Sequence, residues 1–260
     1  MRVHWFEFED QSWFPAPLRV AMTAYLVAAY SITPFPKLWA ERLSTVLTPG
    51  QLNAIIDLGS GSGGPIRAVA SELATLGYPV SITLTDLYPN GRERDFPPGD
   101  GANIRYWPDP VDATHVPPTL SGVRTMFASL HHCRPAAVLQ ILRNAADQRQ
   151  PICIFEATAR KPLAIVLCLL IPLLVLVLTP KVQPLSWFQV VFTYLVPILP
   201  LLIFWDGLVS NLRTYHASEL EAFARTLPSA DYRWESGELA IPGNPLKVPY
   251  LIGRPVTPAS

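Results

Sequence analysis

Three stretches of this 260-residue chain carry residues whose types and spacing can do chemistry. In the first, the apolar run Ala54, Ile55, Ile56 ends in Asp57 and opens into Gly59, Ser60, Gly61, Ser62, Gly63 and Gly64. A strand that empties into a glycine turn ahead of a helix lets the backbone come close to a nucleotide-like ligand, and the helix N-terminus favours that ligand's negative charge. In the second, Ser81, Ile82, Thr83, Leu84 and Thr85 read as another strand, closed by Asp86 and Leu87. A carboxylate at the end of the second strand is placed to accept hydrogen bonds from ribose hydroxyls. In the third, an apolar run ends at Ala128 and is followed by Ser129, His131 and His132. Adjacent imidazoles, with an ordinary pKa of about 6.5, suit general acid–base work, although one of them could equally pack against or cap the next helix. Glu156 closes a further apolar run, where it could orient a substrate, pair with Arg160 or face solvent. Asp206, Ser210 and Arg213 share one helical face, and Arg213 and Tyr215 are candidate substrate contacts unless Arg213 pairs with Asp206.

The elements that must position these groups follow from periodicity. Residues 17–30 and 36–47 have apolar side chains at helical spacing and read as two helices before the first strand. Strands are expected over 54–58, 80–85, 103–107, 123–128 and 152–156, with a helix from the glycine turn to Leu76 and another over 135–148, its proline in the first turn. Residues 95–101 read as polar loop. Strands alternating with helices at this spacing imply a parallel sheet with right-handed crossovers. Ser218 is a candidate cap for a later helix. Residues 232–241 and 247–252 could pair as an antiparallel end of the sheet.

The series Asp57-x-Gly59-x-Gly61-x-Gly63 resembles motif I of the class I S-adenosylmethionine-dependent methyltransferases. Gly59-x-Gly61-x-x-Gly64 also satisfies the dinucleotide fingerprint, so the neighbours decide. Asp57 stands directly before the glycines, where the resemblance implies a carboxylate that orients the loop near the cofactor's amino-acid part. Val111, Asp112 and Ala113 resemble the element whose carboxylate accepts the adenine amino group. The resemblance therefore implies a Rossmann-like, doubly wound α/β sheet, mostly parallel with an antiparallel end, and S-adenosyl-L-methionine as cofactor. Asp57, Gly59, Ser60, Gly61, Gly63, Asp86, Leu87, Asp112, Ala113 and Ser129 would line its site. In such a fold the methyl acceptor sits over the ends of the fourth and fifth strands, near His131, His132 and Glu156.

Composition adds two constraints. Lys+Arg and Asp+Glu are equal at 20 each, so no overall basic field recruits nucleic acid. Cys133, Cys153 and Cys168 lack metal-ligand spacing and read as reduced core residues, and no metal is expected. The acidic, aromatic start, with Trp5, Phe6, Glu7, Phe8, Glu9, Asp10 and Trp13, does not read as a signal peptide. It reads as an arm folded over the cofactor pocket, with Trp13 either lining the active site or packing on the sheet.

Charged residues make up only 15% of the chain, and between 162 and 205 the one charge is Lys181. Residues 163–179 would form a helix about 26 Å long at about 1.5 Å per residue, slightly under a ~30 Å hydrocarbon core. Its Leu, Ile and Val residues contribute on the order of −4 to −8 kcal/mol in mid-membrane, offset in part by Pro172, Pro197 and Pro200. The expected organisation is an aromatic arm with two helices over 1–49, a cofactor-binding core over 50–161, a hydrophobic helical hairpin over 162–205, spanning or re-entrant, and the rest of the core over 206–260. The reading is a membrane-associated methyltransferase, its catalytic domain on the cytoplasmic side, acting on a small lipophilic acceptor. Two alternatives stand beside it: a membrane scaffold that binds cofactor without catalysis, and a soluble enzyme whose hairpin is a dimer interface. A homo-oligomer is left open.

Overall fold

Side chains along each central strand enter opposite layers by turns, and that alternation sets the architecture. In β1 (Asn53–Leu58), Ile55 packs with α2 (Phe35–Leu43) and α3 (Ile66–Thr75), and Ile56 with α4 (Pro135–Asp147). In β5 (Ile152–Phe155), Cys153 and Phe155 join the first layer, Ile152 and Ile154 the second. Strands apolar on both faces are those of a parallel sheet covered twice. The computed structural model describes residues 2–89, 103–227 and 231–256. The loop expected over 95–101 lies outside them.

With β2 (Val80–Thr85), β3 (Asn103–Tyr106), β4 (Val123–Phe127), β6 (Tyr232–Ala240) and β7 (Lys247–Pro255), the sheet has the order β3-β2-β1-β4-β5-β7-β6. The first five strands pair in parallel. β7 runs antiparallel to β5, with Ile154 opposite Leu251, and β6 is antiparallel to β7. The order reverses between β1 and β4, which opens a crevice at the carboxyl ends of those strands.

Most element ends fall within two residues of expectation. α2 is shorter, ending at Leu43 and followed by a 3-10 turn over Ser44–Val46. α9 (Ala217–Arg225) is capped by His216 rather than Ser218. Glu219, three residues beyond His216, accepts its backbone N–H at 2.8 Å, so Ser218 falls inside the first turn.

The hairpin departs further from two straight arms. α5 (Pro162–Leu167), a 3-10 turn over Cys168–Leu170, α6 (Ile171–Leu178) and a 3-10 turn over Thr179–Lys181 join as one apolar helix, Pro162–Lys181, of mean hydropathy 2.9. The return arm is broken: α7 (Trp187–Val190) runs into a π-helical turn, Val191–Leu195, and an 83° bend separates it from α8 (Ile198–Arg213). Pro197 at the break removes a backbone donor, which accounts for the bend. α8 is continuous through residue 205, so the hairpin and the sheet domain share a helix instead of meeting at a boundary. α1 (Ala16–Ile32) also belongs with the hairpin, since Phe14, Met22 and Tyr25 form a third core with Val175, Val182 and Leu199. The Tyr25 hydroxyl lies 2.9 Å from Thr179 Oγ1 and 2.7 Å from Thr193 Oγ1, a polar knot inside that apolar bundle.

Candidate active site

The turn after β1 requires glycine. Gly59, Gly61 and Gly63 have φ of 63°, 53° and 83°, backbone that side chains with a Cβ rarely adopt. The turn is tied from three sides. Ser60 N donates to Thr85 O at 2.9 Å, and Gly61 N donates to Asp86 Oδ2 at 2.8 Å. The Tyr106 hydroxyl donates to Gly61 O at 2.9 Å. Asp57 lies buried beneath, its Oδ1 accepting from Thr125 Oγ1 at 2.7 Å and its backbone oxygen from Ser60 Oγ at 2.9 Å. Burial pushes the Asp57 carboxyl up to about 6, against the opposing hydrogen bonds from Ser60 and Thr125.

Beside this turn, two hydroxyls are buried with no partner: Ser62 Oγ and Ser129 Oγ. Ser129 Oγ is 3.8 Å from where a Cβ on Gly59 would stand, so the end of β4 faces the turn. Ala128 directs the chain there through a φ of 48°, a conformation that costs about 1–3 kcal/mol for a residue other than glycine and is found where a site demands it. Val111 N donates to Asp86 O at 2.9 Å, fixing the loop that carries Asp112 and Ala113 next to Asp86. Asp112 Oδ1 takes both donors of Thr114, at 2.8 and 2.7 Å. Leu87 is largely exposed at the same rim. Of the ten residues expected around the cofactor, eight sit on the turn or at the ends of β1, β2 and β4, and Asp112 and Ala113 lie on the loop after β3.

The second group forms one polar cluster, buried at Glu7, His131, Glu156 and Arg213 and partly exposed at Asp10 and His132. Glu156 does not face solvent or Arg160: Oε1 accepts from His131 N at 2.9 Å, and Oε2 lies 2.8 Å from His131 Nδ1. Arg160 pairs with Glu219 instead. His132 Nδ1 is 2.9 Å from Asp10 Oδ1 and 3.6 Å from Glu7 Oε2. Arg213 does not pair with Asp206. Its NH1 reaches Asp10 at 2.6 Å and Glu7 at 3.2 Å, and Nε donates to Trp5 O at 2.7 Å. Asp206 accepts from the backbone N–H groups of Phe8 and Glu9, at 2.8 and 3.1 Å. Burial works against a charged His132, but the Asp10 hydrogen bond and the charges of Glu7 and Asp10 outweigh it and push His132 up to about 9. For Asp10, burial is likewise overcome by its hydrogen bonds to His132 and Arg213, which hold the carboxyl well below the usual range.

Two candidates are placed elsewhere than expected. Tyr215 is buried in the layer of α4 and α9, its hydroxyl donating to Cys133 O at 2.8 Å and its ring under the Arg2 guanidinium at 4.0 Å. It supports the histidine turn from behind. Trp13 is 66% exposed, edge-on to Phe8 and Phe14, on the outside of the arm. Arg213 is consumed by the arm, which crosses the site as a strap held by residues 2–10.

Arg2, Glu7 and Asp10 were not singled out from sequence. Arg2 donates to His131 O and Cys133 O at 2.8 and 3.0 Å, and also to Arg213 O. The available signal was the three acids among the leader's aromatics, a place where charge needs a partner; the partners, His132 and Arg213, stand far away along the chain. The cysteines supply no metal set, yet the fold brings ligand atoms of Glu7, His131 and His132 within 4.8 Å of one another. The Arg213 guanidinium supplies the positive charge beside Glu7 and His132.

No protein-family model matches the chain, and no curated protein sequence matches it either. Among solved structures it is similar to the pyocyanin biosynthetic protein PhzM, at 14% identity and a TM-score of 0.45, over 85% of this chain and 55% of that one. It is similar to the mitomycin 7-O-methyltransferase MmcR, at 16% identity and a TM-score of 0.44, over 92% of this chain and 55% of that one. A SAM-dependent methyltransferase from Aquifex aeolicus aligns at 10% identity and a TM-score of 0.46, over 86% of this chain and 93% of that one. The chain thus spans about half the length of the first two. The strand order, the antiparallel β7 inserted beside β5, and the glycine turn after β1 give this chain the class I methyltransferase fold.

Proposed function

We propose that this chain is an S-adenosylmethionine-dependent methyltransferase that works at a membrane and methylates a small, lipophilic acceptor. The observation that carries this reading is the glycine turn in left-handed backbone, held between Asp57 and Asp86, with the unpartnered Ser129 and Ser62 hydroxyls beside it. Buried polar atoms without partners are costly, and a polar ligand against the turn would relieve that cost. In this reading Gly59, Ser60, Gly61 and Gly63 hold the cofactor's amino-acid part, Asp86 its ribose, and Asp112 its adenine amino group, with Leu87 against the base. Asp86 spends lone pairs on Gly61 N and Tyr88 N, and a carboxylate has further ones to offer. When bound, the cofactor supplies a methyl group made electrophilic by its sulfonium.

The chain's own part is to hold the acceptor, exclude water and take a proton. Glu156 Oε2 beside Nδ1 fixes the His131 tautomer, leaving Nε2 as the atom that receives the acceptor's proton. The strap over this histidine pair keeps the reaction away from water. A lipophilic acceptor is favoured by the apolar bundle of α1, α6 and α8, since α8 also carries Arg213 into the polar cluster. Both ends of the hairpin return to the same domain, and the side we assign to that domain is the cytoplasmic one, where the cofactor is made.

Asp86→Ala is expected to abolish cofactor binding in isothermal titration calorimetry of folded protein. Affinity equal to wild type would remove the ribose assignment. Radiolabel transfer from S-adenosylmethionine into a lipid extract tests turnover, and binding without any transfer would leave a scaffold.

A further inference from the structure

The apolar helix Pro162–Lys181 has two unlike faces. Leu163, Val166, Leu170, Leu173, Leu174 and Val177 recur at helical spacing and are 43 to 67% exposed, a stripe along nearly the whole helix. On the other face Ala164, Cys168, Val175 and Thr179 are buried. That buried face is held by α8 close to the catalytic residues: Asn211 Nδ2 lies 3.4 Å from Cys168 Sγ, and Asn211 Oδ1 accepts from Ala159 N at 3.1 Å. Ile171 packs so closely on Gly207 that a Cβ there would fall 2.7 Å from its Cδ1.

From this geometry we infer that the hairpin lies along the plane of a lipid bilayer, stripe inward, within one leaflet, and that its tip does not cross. The inference rests on the membrane association proposed above. End-on entry limited to the part beyond Ile171 would leave Leu163, Val166 and Leu170 in water. Full end-on entry would carry α8 from Asp206 to Arg213 into hydrocarbon, together with the ionised groups of Glu7, Asp10 and Arg213 packed on it, and charges there are costly. A helix lying in the plane immerses every stripe residue and leaves that cluster in the aqueous domain. Ile198 and Leu201 extend the apolar surface onto α8. Exposed Lys181, Trp187 and Tyr194 near the turn suit headgroup depth, where a far-side position is not needed. The occupant is lipid rather than a protein partner because the stripe offers only aliphatic side chains. A protein interface carries about one hydrogen bond per 100–200 Å².

The test uses the full chain with Cys133→Ser and one of Val166→Cys, Leu170→Cys, Leu173→Cys or Val177→Cys, each carrying the environment-sensitive fluorophore NBD. Variants are bound to phosphatidylcholine–phosphatidylglycerol vesicles containing nitroxide lipids labelled at shallow or deep positions. Orientation in the plane predicts one common depth for all four labels, about 5–10 Å below the headgroup boundary. A depth that increases from 166 to 177 by about 1.5 Å per residue means end-on entry and overturns the inference while keeping the membrane. Failure of the unlabelled chain to float with vesicles removes membrane association itself. Labels shielded from iodide in a vesicle-free dimer would assign the face to a second copy. Cofactor titration of the same samples reports separately on the methyltransferase reading.

Discussion

The two histidines differ by their carboxylates. His131 is bound through both its backbone N–H and its ring to Glu156, while His132 is bound to acids that arrive on the strap. Environments that separate two like groups assign them different work. His131 is the proton acceptor of the proposed reaction, and a charged His132 pins the strap. Replacing Glu156 by Gln keeps the volume but removes one of the two acceptors that His131 uses. Turnover is expected to fall on the order of 100-fold, the lower end of what a positioned acid–base group contributes. Cofactor affinity should be unchanged, and Glu156→Asp should recover part of the rate. A purely structural Glu156 would instead lower cofactor binding and melting temperature together, with no recovery by Asp. The His–His pair at the end of β4 was legible in the sequence as a candidate base. Glu156 was legible only as a strand-end acid, because its partner is set by how β4 and β5 pair in register, Phe127 opposite Phe155.

Among the elements, the hairpin shows how few polar groups are needed to specify a packing. Leucine and valine faces fit one another in many registers, so they bury area without choosing an arrangement. The Tyr25 hydroxyl chooses one, since only one seating of α1 meets Thr179 and Thr193 together. Thr179 keeps a second partner, donating to Val175 O at 2.8 Å. Tyr25→Phe therefore strands chiefly the Thr193 hydroxyl, a loss of about 1–3 kcal/mol. A lower melting temperature in calorimetry, with methyl transfer retained below it, is the expected outcome; no change would mean that the apolar contacts alone seat α1. The low charge of residues 162–205 was visible directly, and so were its prolines. Which proline bends the chain was not, since Pro172 follows the 3-10 turn over Cys168–Leu170 inside one continuous helix, whereas Pro197 stands at the 83° break.

Across the whole molecule the strap joins the start of the chain to α8 and to the end of β4, and its charges make that union depend on pH. His132 is raised to about 9 in the folded protein from an ordinary value of about 6.5, so the stability it contributes is complete below about 6.5 and is lost as pH rises through about 9. Asp10 is held low, so its contribution is present above an ordinary value of about 3.9 and is lost as pH falls below it. Hydrogen exchange of amides in residues 5–10, corrected for intrinsic rates, should show the strap best protected between about pH 4 and 6.5 and loosening toward pH 9. Protection that stays flat up to pH 10 would remove the His132–Asp10 pair as its anchor. By itself the sequence determined the strands, the glycine turn with the carboxylates at 57 and 86 beside it, and the run over 162–205 with its single charge, because each depends on residues close together along the chain. Only the tertiary structure decided that Arg213 answers Glu7 and Asp10, that Tyr215 stands behind the site, and that α1 belongs to the hairpin. A charge or an apolar face needs a partner, but its own sequence does not say which one; the choice falls to whichever group the folded sheet brings within reach.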